Sequence, residues 1–183
     1  IKNSIIDISS EDKTKELAKD FSNYLTGGET IFLYGEIGVG KTTFVKYLIN
    51  QFQIKKKLQT TEVTSPTFNL LNEYVVDNLI IKHYDLFRLK DESEIKNLDL
   101  FDKNENIITL IEWPELINKG NFKKTIDLLF NYENELNNRS IKIDGLGWSL
   151  NMKLLKDFKE IKGDASFRKF FRNTKKNSII VFA

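Results

Sequence analysis

The chain has 183 residues, 40% of them hydrophobic and 12% aromatic, which suits one compact α/β domain and little more. Its 28 Lys and Arg against 26 Asp and Glu leave a net charge of +2, so global electrostatics gives no support to direct nucleic-acid binding. There is no cysteine, which excludes disulfides, thiolate metal sites and a cysteine nucleophile. No apolar run approaches the ~20 residues that span a bilayer, and the opening residues are expected to be a polar helix signal instead of a secretory leader; the expected location is cytoplasmic, away from membranes.

In chain order, the spacing from Ser9 to Asp12 resembles a capping box with Asp in place of Glu. Leu17, Ala18, Phe21, Tyr24 and Leu25 then recur with helical period, and Gly27 and Gly28 are expected to stop that helix. Thr30 to Tyr34 reads as a buried strand. It runs into Gly35–Thr42 (GEIGVGKT), which matches the phosphate-binding pattern of two glycines five apart followed by Lys and Thr. Thr42 to Phe52 reads as a helix, with Phe44, Val45, Leu48, Ile49 and Phe52 on its apolar face. Strand, glycine loop and helix are the context this motif requires.

The chemistry follows from the residue types. Gly35, Gly38 and Gly40 permit positive φ and close approach to a polyanion. Successive backbone N–H groups then point inward, and the helix that follows presents its N-terminus to negative charge. Gly38, Val39, Gly40, Lys41, Thr42 and Thr43 are the expected ATP-binding stretch, with Lys41 reaching the outer phosphates and Thr42 ligating magnesium. Lys55, Lys56 and Lys57 suit a solvated helix end.

Asn69 to Val76 and Leu79 to Asp85 read as a hairpin turning at Asp77 and Asn78, and Ser93 to Leu98 as a short helix. Ile107 to Ile111 is a buried strand ending at Glu112. Magnesium needs a carboxylate as well as the threonine. Glu112 and Asp85 each end a strand and are the candidates, and either could orient the attacking water. His83 is the only histidine and reads as structural. Arg88 is expected to pair with Asp85 or to meet transition-state charge, and Trp113–Pro114 to form a rigid exit from its strand. Thr125 to Tyr132 and Ser140 to Asp144 look like another hairpin. Parallel and hairpin signals together predict an α/β fold, a P-loop NTPase-like mixed β-sheet flanked by helices.

A guanine specificity finds no support. Asp144–Gly147 matches Asp-x-x-Gly, but the only Asn-Lys pair with a following glycine, Asn118–Gly120, is followed by Asn121 and lies before it, in the wrong order. Gly145 and Gly147 mark a boundary, dividing the chain into an ATPase domain over 1–147 and a segment over 148–183. That segment is expected to open with a helix over Leu150 to Phe158. With Ile1 at its start and a strand pattern cut at Val181 to Ala183, the sequence reads as a fragment of a longer chain.

Four blocks occur in one order: Gly35–Phe44, Val63–Phe68 (VTSPTF), His83–Leu89 (HYDLFRL) and Leu110–Glu115 (LIEWPE). Together they resemble the TsaE (YjeE) family, the ATPase component of bacterial tRNA threonylcarbamoyladenosine synthesis, over about residues 8 to 145. The resemblance implies slow ATP hydrolysis that depends on TsaD and TsaB proteins, with tRNA reached through that assembly. Carried over by position, it implies that Lys41 contacts phosphate and that Thr42 and Glu112 bind magnesium. It makes Asp85 the acid beside the γ-phosphate and Ser65 to Thr67 a switch segment sensing that phosphate. Thr14 and Arg139 match positions near the nucleoside. Phe87 stands where the family carries an aromatic hydroxyl, and Lys90 to Asn106 is the least family-like stretch. Residues 163–172 (GDASFRKFFR) resemble the opening of aminoglycoside-phosphotransferase-like kinases, whose catalytic loop the chain does not contain. Two other functions fit a phosphate-binding loop: a small-molecule kinase, though only four arginines are present to build a lid, and a nucleotide-sensing module without turnover.

Overall fold

The computed structural model describes residues 4–96, 98–101, 104–133 and 138–144, and the backbone of three later strands at 158–161, 169–173 and 179–182. Ten strands form one mixed sheet in the order β3-β4-β5-β2-β6-β7-β1-β10-β9-β8. Its centre is parallel: β4 (Leu79–Asp85), β5 (Ile107–Glu112), β2 (Thr30–Tyr34) and β6 (Thr125–Tyr132) run side by side. β3 (Leu71–Val76) on one side and β7 (Arg139–Asp144) then β1 (Ser4–Asp7) on the other add antiparallel pairs. The last three strands, β8 (Phe158–Ile161), β9 (Lys169–Asn173) and β10 (Ile179–Phe182), form an antiparallel meander. Among the described residues it meets β1 through the register pair Ser4–Phe182.

The mixed sheet flanked by helices is the architecture the alternation of signals predicts. A parallel strand is covered on both faces, and every residue of β5 is buried. One face packs on α1 (Glu11–Tyr24) and α2 (Lys41–Lys55), where Phe21 and Phe44 meet edge to face at 5.3 Å. The other face packs Phe32, Tyr84 and Ile111 against Leu86, Leu100, Ile117 and Ile95, the last from the short helix α3 (Glu92–Ile95). Among the described residues, no helix is long and apolar enough to cross a membrane.

Several boundaries differ from expectation, each for a local reason. β1 is absent from the sequence reading; four residues are too few to show alternation, and its partner β7 lies more than 130 residues away. The cap of α1 is Ser10, whose hydroxyl accepts from the Lys13 N–H, while Ser9 instead donates to Asp7 and to the Arg139 carbonyl. The helix ends at Tyr24, before its glycines. Gly27 serves a close approach: at φ 120, a Cβ there would lie 2.0 Å from the Glu105 carbonyl oxygen. β3 starts at Leu71, and α3 is a single turn closed by a capping box between Asp91 and Glu94. The boundary at 145–147 lies outside the described residues, as does the helix expected over 150–158, except that Phe158 opens a strand instead of ending a helix. Of the kinase-like stretch only 169–172 is described, within β9.

Candidate functional site

β2 ends at Tyr34 and the chain turns through three glycines of positive φ: Gly35 at 134°, Gly38 at 76° and Gly40 at 113°. At Gly35 the demand is steric as well as conformational, since a Cβ would lie 2.5 Å from the Phe130 carbonyl on β6. Gly40 is the N-cap of α2 and supplies no side-chain acceptor, so the first amides of the helix remain available to an incoming anion. Val39 is buried beneath the loop and anchors it to the core.

The neighbouring strands bring the rest. β4 and β5 are parallel and in register, with Asp85 beside Glu112. Both therefore reach the same end of the sheet, on the α2 face, next to the glycine loop. A cavity of about 360 Å³ opens there, lined by Ile37, Gly38 and Gly40 of the loop but not by the buried Val39, by Lys41, Thr42 and Thr43 at the start of α2, by Ser65 and Thr67, and by Asp85, Phe87, Glu112 and Trp113.

Within it Thr42 donates its hydroxyl to Glu112, 2.8 Å from Oε1 and 3.1 Å from Oε2. Glu112 Oε1 also lies 2.9 Å from Nε2 of the fully buried His83. Lys41 Nζ donates to the Gly35 and Glu36 carbonyls at 2.7 and 3.0 Å and sits 3.9 Å from the centre of the Trp113 ring. Burial pulls the Lys41 ammonium below its usual value, against the opposing pull of the Glu112, Asp85 and Glu115 carboxylates. Asp85 Oδ2 accepts from the hydroxyls of Ser65 and of Thr67, the latter at 2.7 Å, while Oδ1 accepts the Phe87 N–H at 3.0 Å.

The predicted residues thus divide. Gly38, Gly40, Lys41, Thr42, Thr43, Ser65, Thr67, Asp85 and Glu112 line one cavity. Arg139 flanks it from outside: a Cβ on Gly40 would lie 4.0 Å from its Nη1, and its guanidinium lies 5.6 Å from the ring of Tyr132, whose hydroxyl donates to the Ile37 carbonyl at 3.4 Å. Thr14 is not among the lining residues; it is buried in α1 and its hydroxyl donates to the Ser10 carbonyl. The expected Asp85–Arg88 ion pair is replaced by the Ser65 and Thr67 hydroxyls, and Arg88 lies over the exposed Phe68 ring at 5.2 Å. Sequence reasoning also missed two contacts. The ring of Trp113 carries the loop lysine, and His83 touches Glu112. The period-2 alternation of β4, with His83 two residues before Asp85, held the signal for the second.

The donor set fits a nucleotide with magnesium. Among the described residues no three acidic or histidine side chains gather to hold a metal alone. Thr42 and Glu112 present one hydroxyl and one carboxylate beside an anion cradle. Magnesium favours this arrangement, taking few protein oxygens and completing its shell with phosphate and water.

The family model described as threonylcarbamoyl adenosine biosynthesis protein TsaE matches residues 8–141. Curated relatives named tRNA threonylcarbamoyladenosine biosynthesis protein TsaE include one from Rickettsia conorii, 40% identical over 60% of this chain and 61% of that protein. One from Aquifex aeolicus is 40% identical over 59% of this chain and 74% of its own length. One from Bacillus subtilis is 36% identical over 58% and 63%. The chain therefore spans about three fifths of the length of the first and the last. The crystal structure of Bacillus subtilis YdiB superposes with a TM-score of 0.63 at 22% identity, over 85% of this chain and 93% of that one, and so shares the fold.

Proposed function

The chain belongs to the TsaE family of threonylcarbamoyl adenosine biosynthesis, and from that premise we propose that it binds ATP with magnesium and hydrolyses it slowly. It does so as the ATPase of a tRNA-modifying assembly with TsaB- and TsaD-type proteins. The observation that carries the reading is the Thr42 hydroxyl 2.8 Å from the Glu112 carboxylate, beside the Gly35–Gly40 cradle and Lys41.

In this reading the loop amides and the α2 N-terminus bind the phosphate chain, and Lys41 leaves its two carbonyls for the outer phosphates. Thr42 and Glu112 hold magnesium, which when bound offsets phosphate charge. Asp85 lies within hydrogen-bond distance of both switch hydroxyls, which also lie 2.7 Å from each other, so this cluster fixes the Ser65–Thr67 segment at the edge of the cavity where the attacking water would be positioned. Hydrolysis is then chiefly a matter of positioning and electrostatics. The near-neutral surface charge suits a subunit whose RNA contact is made through its partners.

The test is ATP turnover with and without TsaB- and TsaD-type proteins. Turnover is expected to be weak alone and stimulated by the partners. Glu112→Gln should remove at least about 10²-fold of the stimulated rate. Full turnover without partners would defeat the partner-gated reading, and an unaffected Glu112→Gln enzyme would defeat the assignment of the metal ligand.

A further inference from the structure

We infer that His83 is a positioning residue that sets the orientation of the Glu112 carboxylate at the magnesium site; the inference rests on the reading of Glu112 as a metal ligand. His83 lies on the same face of β4 as Ile81 and Asp85, by the two-residue repeat of a strand. Ile81 packs in the core below and Asp85 lines the cavity above. His83 sits between them, wholly buried and not among the lining residues, so it acts through Glu112 and not on the nucleotide.

The hydrogen bonding gives it one direction. Glu112 Oε1 lies 2.9 Å from His83 Nε2, and a carboxylate only accepts, so Nε2 carries the proton. The other ring nitrogen, Nδ1, is buried with no partner among the described residues. A buried polar atom left so costs roughly 1–3 kcal/mol, which an apolar side chain at this core position would avoid. What the imidazole supplies in return is its hold on Oε1. That oxygen takes both Thr42 at 2.8 Å and His83 at 2.9 Å, whereas Oε2 has only the longer Thr42 contact at 3.1 Å. His83 thus turns Oε1 inward and leaves Oε2 as the oxygen offered to a cation.

The test compares His83→Leu, which removes the donor, with His83→Gln, whose amide restores one near the Nε2 position. Binding of a fluorescent ADP analogue to the full 183-residue chain is followed against magnesium concentration and in EDTA. His83→Leu should raise the magnesium midpoint about tenfold or more, the usual effect of losing an outer-shell partner. Its analogue affinity in EDTA should stay within about twofold, and His83→Gln should recover most of the midpoint. An unmoved midpoint in the folded Leu variant, an EDTA affinity that falls in parallel, or a failure of Gln to recover would overturn the inference. If wild type itself shows no magnesium dependence, the Glu112 reading fails first. Should the Leu variant not fold, nitrogen-15 spectra of wild-type His83 decide: a proton on Nε2 is expected, and one on Nδ1 with Nε2 bare would overturn it.

Discussion

At the scale of single residues, Asp85 is the clearest case of a role decided by partners instead of position. A strand-end acid is legible in the sequence. That its carboxylate collects two hydroxyls from a loop 18 and 20 residues earlier is not, because those contacts depend on how the Ser65–Thr67 segment is laid across the sheet end. Asp85→Asn exchanges one acceptor oxygen for a donor. The amide cannot then receive the two hydroxyls and the Phe87 N–H together. Partner-stimulated turnover is expected to fall about 10²-fold, comparable to losing a positioned transition-state contact. ADP affinity, measured by calorimetry, should change less than about threefold, since no lost contact is to the phosphate cradle. Lys41, Thr42 and Glu112 were legible because their spacing is tied to covalent neighbours: a glycine loop, a helix start and a strand end. Trp113 was legible only as a strand exit. Its left-handed backbone, φ 57°, is what carries the ring beneath Lys41, and period-2 reasoning ends where the strand does.

At the scale of elements, the glycine loop separates two demands that the motif treats alike. Gly35 and Gly38 both hold positive φ. At Gly35 an added Cβ meets a backbone carbonyl at 2.5 Å, whereas at Gly38 it meets only the end of the Tyr132 side chain at 3.3 Å. Gly38→Ala should therefore cost about 1 kcal/mol, the strain of a left-handed residue. Gly35→Ala should cost about 3 kcal/mol or more, because β2 and β6 must also part. Urea denaturation of the two variants measures the difference, and equal losses would mean that the loop, not the sheet, absorbs both. The strand, loop and helix themselves were legible because local pattern and burial agree there. The misplaced cap of α1 and the missed β1 share one cause: both are fixed by the Arg139 strand far along the chain, through Ser9 and through the β1–β7 ladder.

At the scale of the whole molecule, the site draws on β2, β4, β5 and the start of α2, while among the described residues the last three strands reach this framework through one register pair with β1. A chain ending at Asp144 keeps all four β1–β7 pairs and the full lining of the cavity. It is expected to bind ADP as the longer chain does, since the lining is intact, and to lose less than about 2 kcal/mol in urea unfolding, because among the described residues one register pair joins the tail to β1. A larger loss would give the tail a share in the stability of the sheet. The parallel register has a further consequence. A strand shifted by one residue turns every side chain to the opposite face. If β4 slipped so against β5, Asp85 and His83 would face away from Glu112, and the cavity would lose Asp85 while the hydrophobic sheet could still form. Partner-stimulated turnover, which in this reading needs Asp85 beside Glu112, is therefore a certificate of correct threading, issued only to chains that have settled on the native pairing.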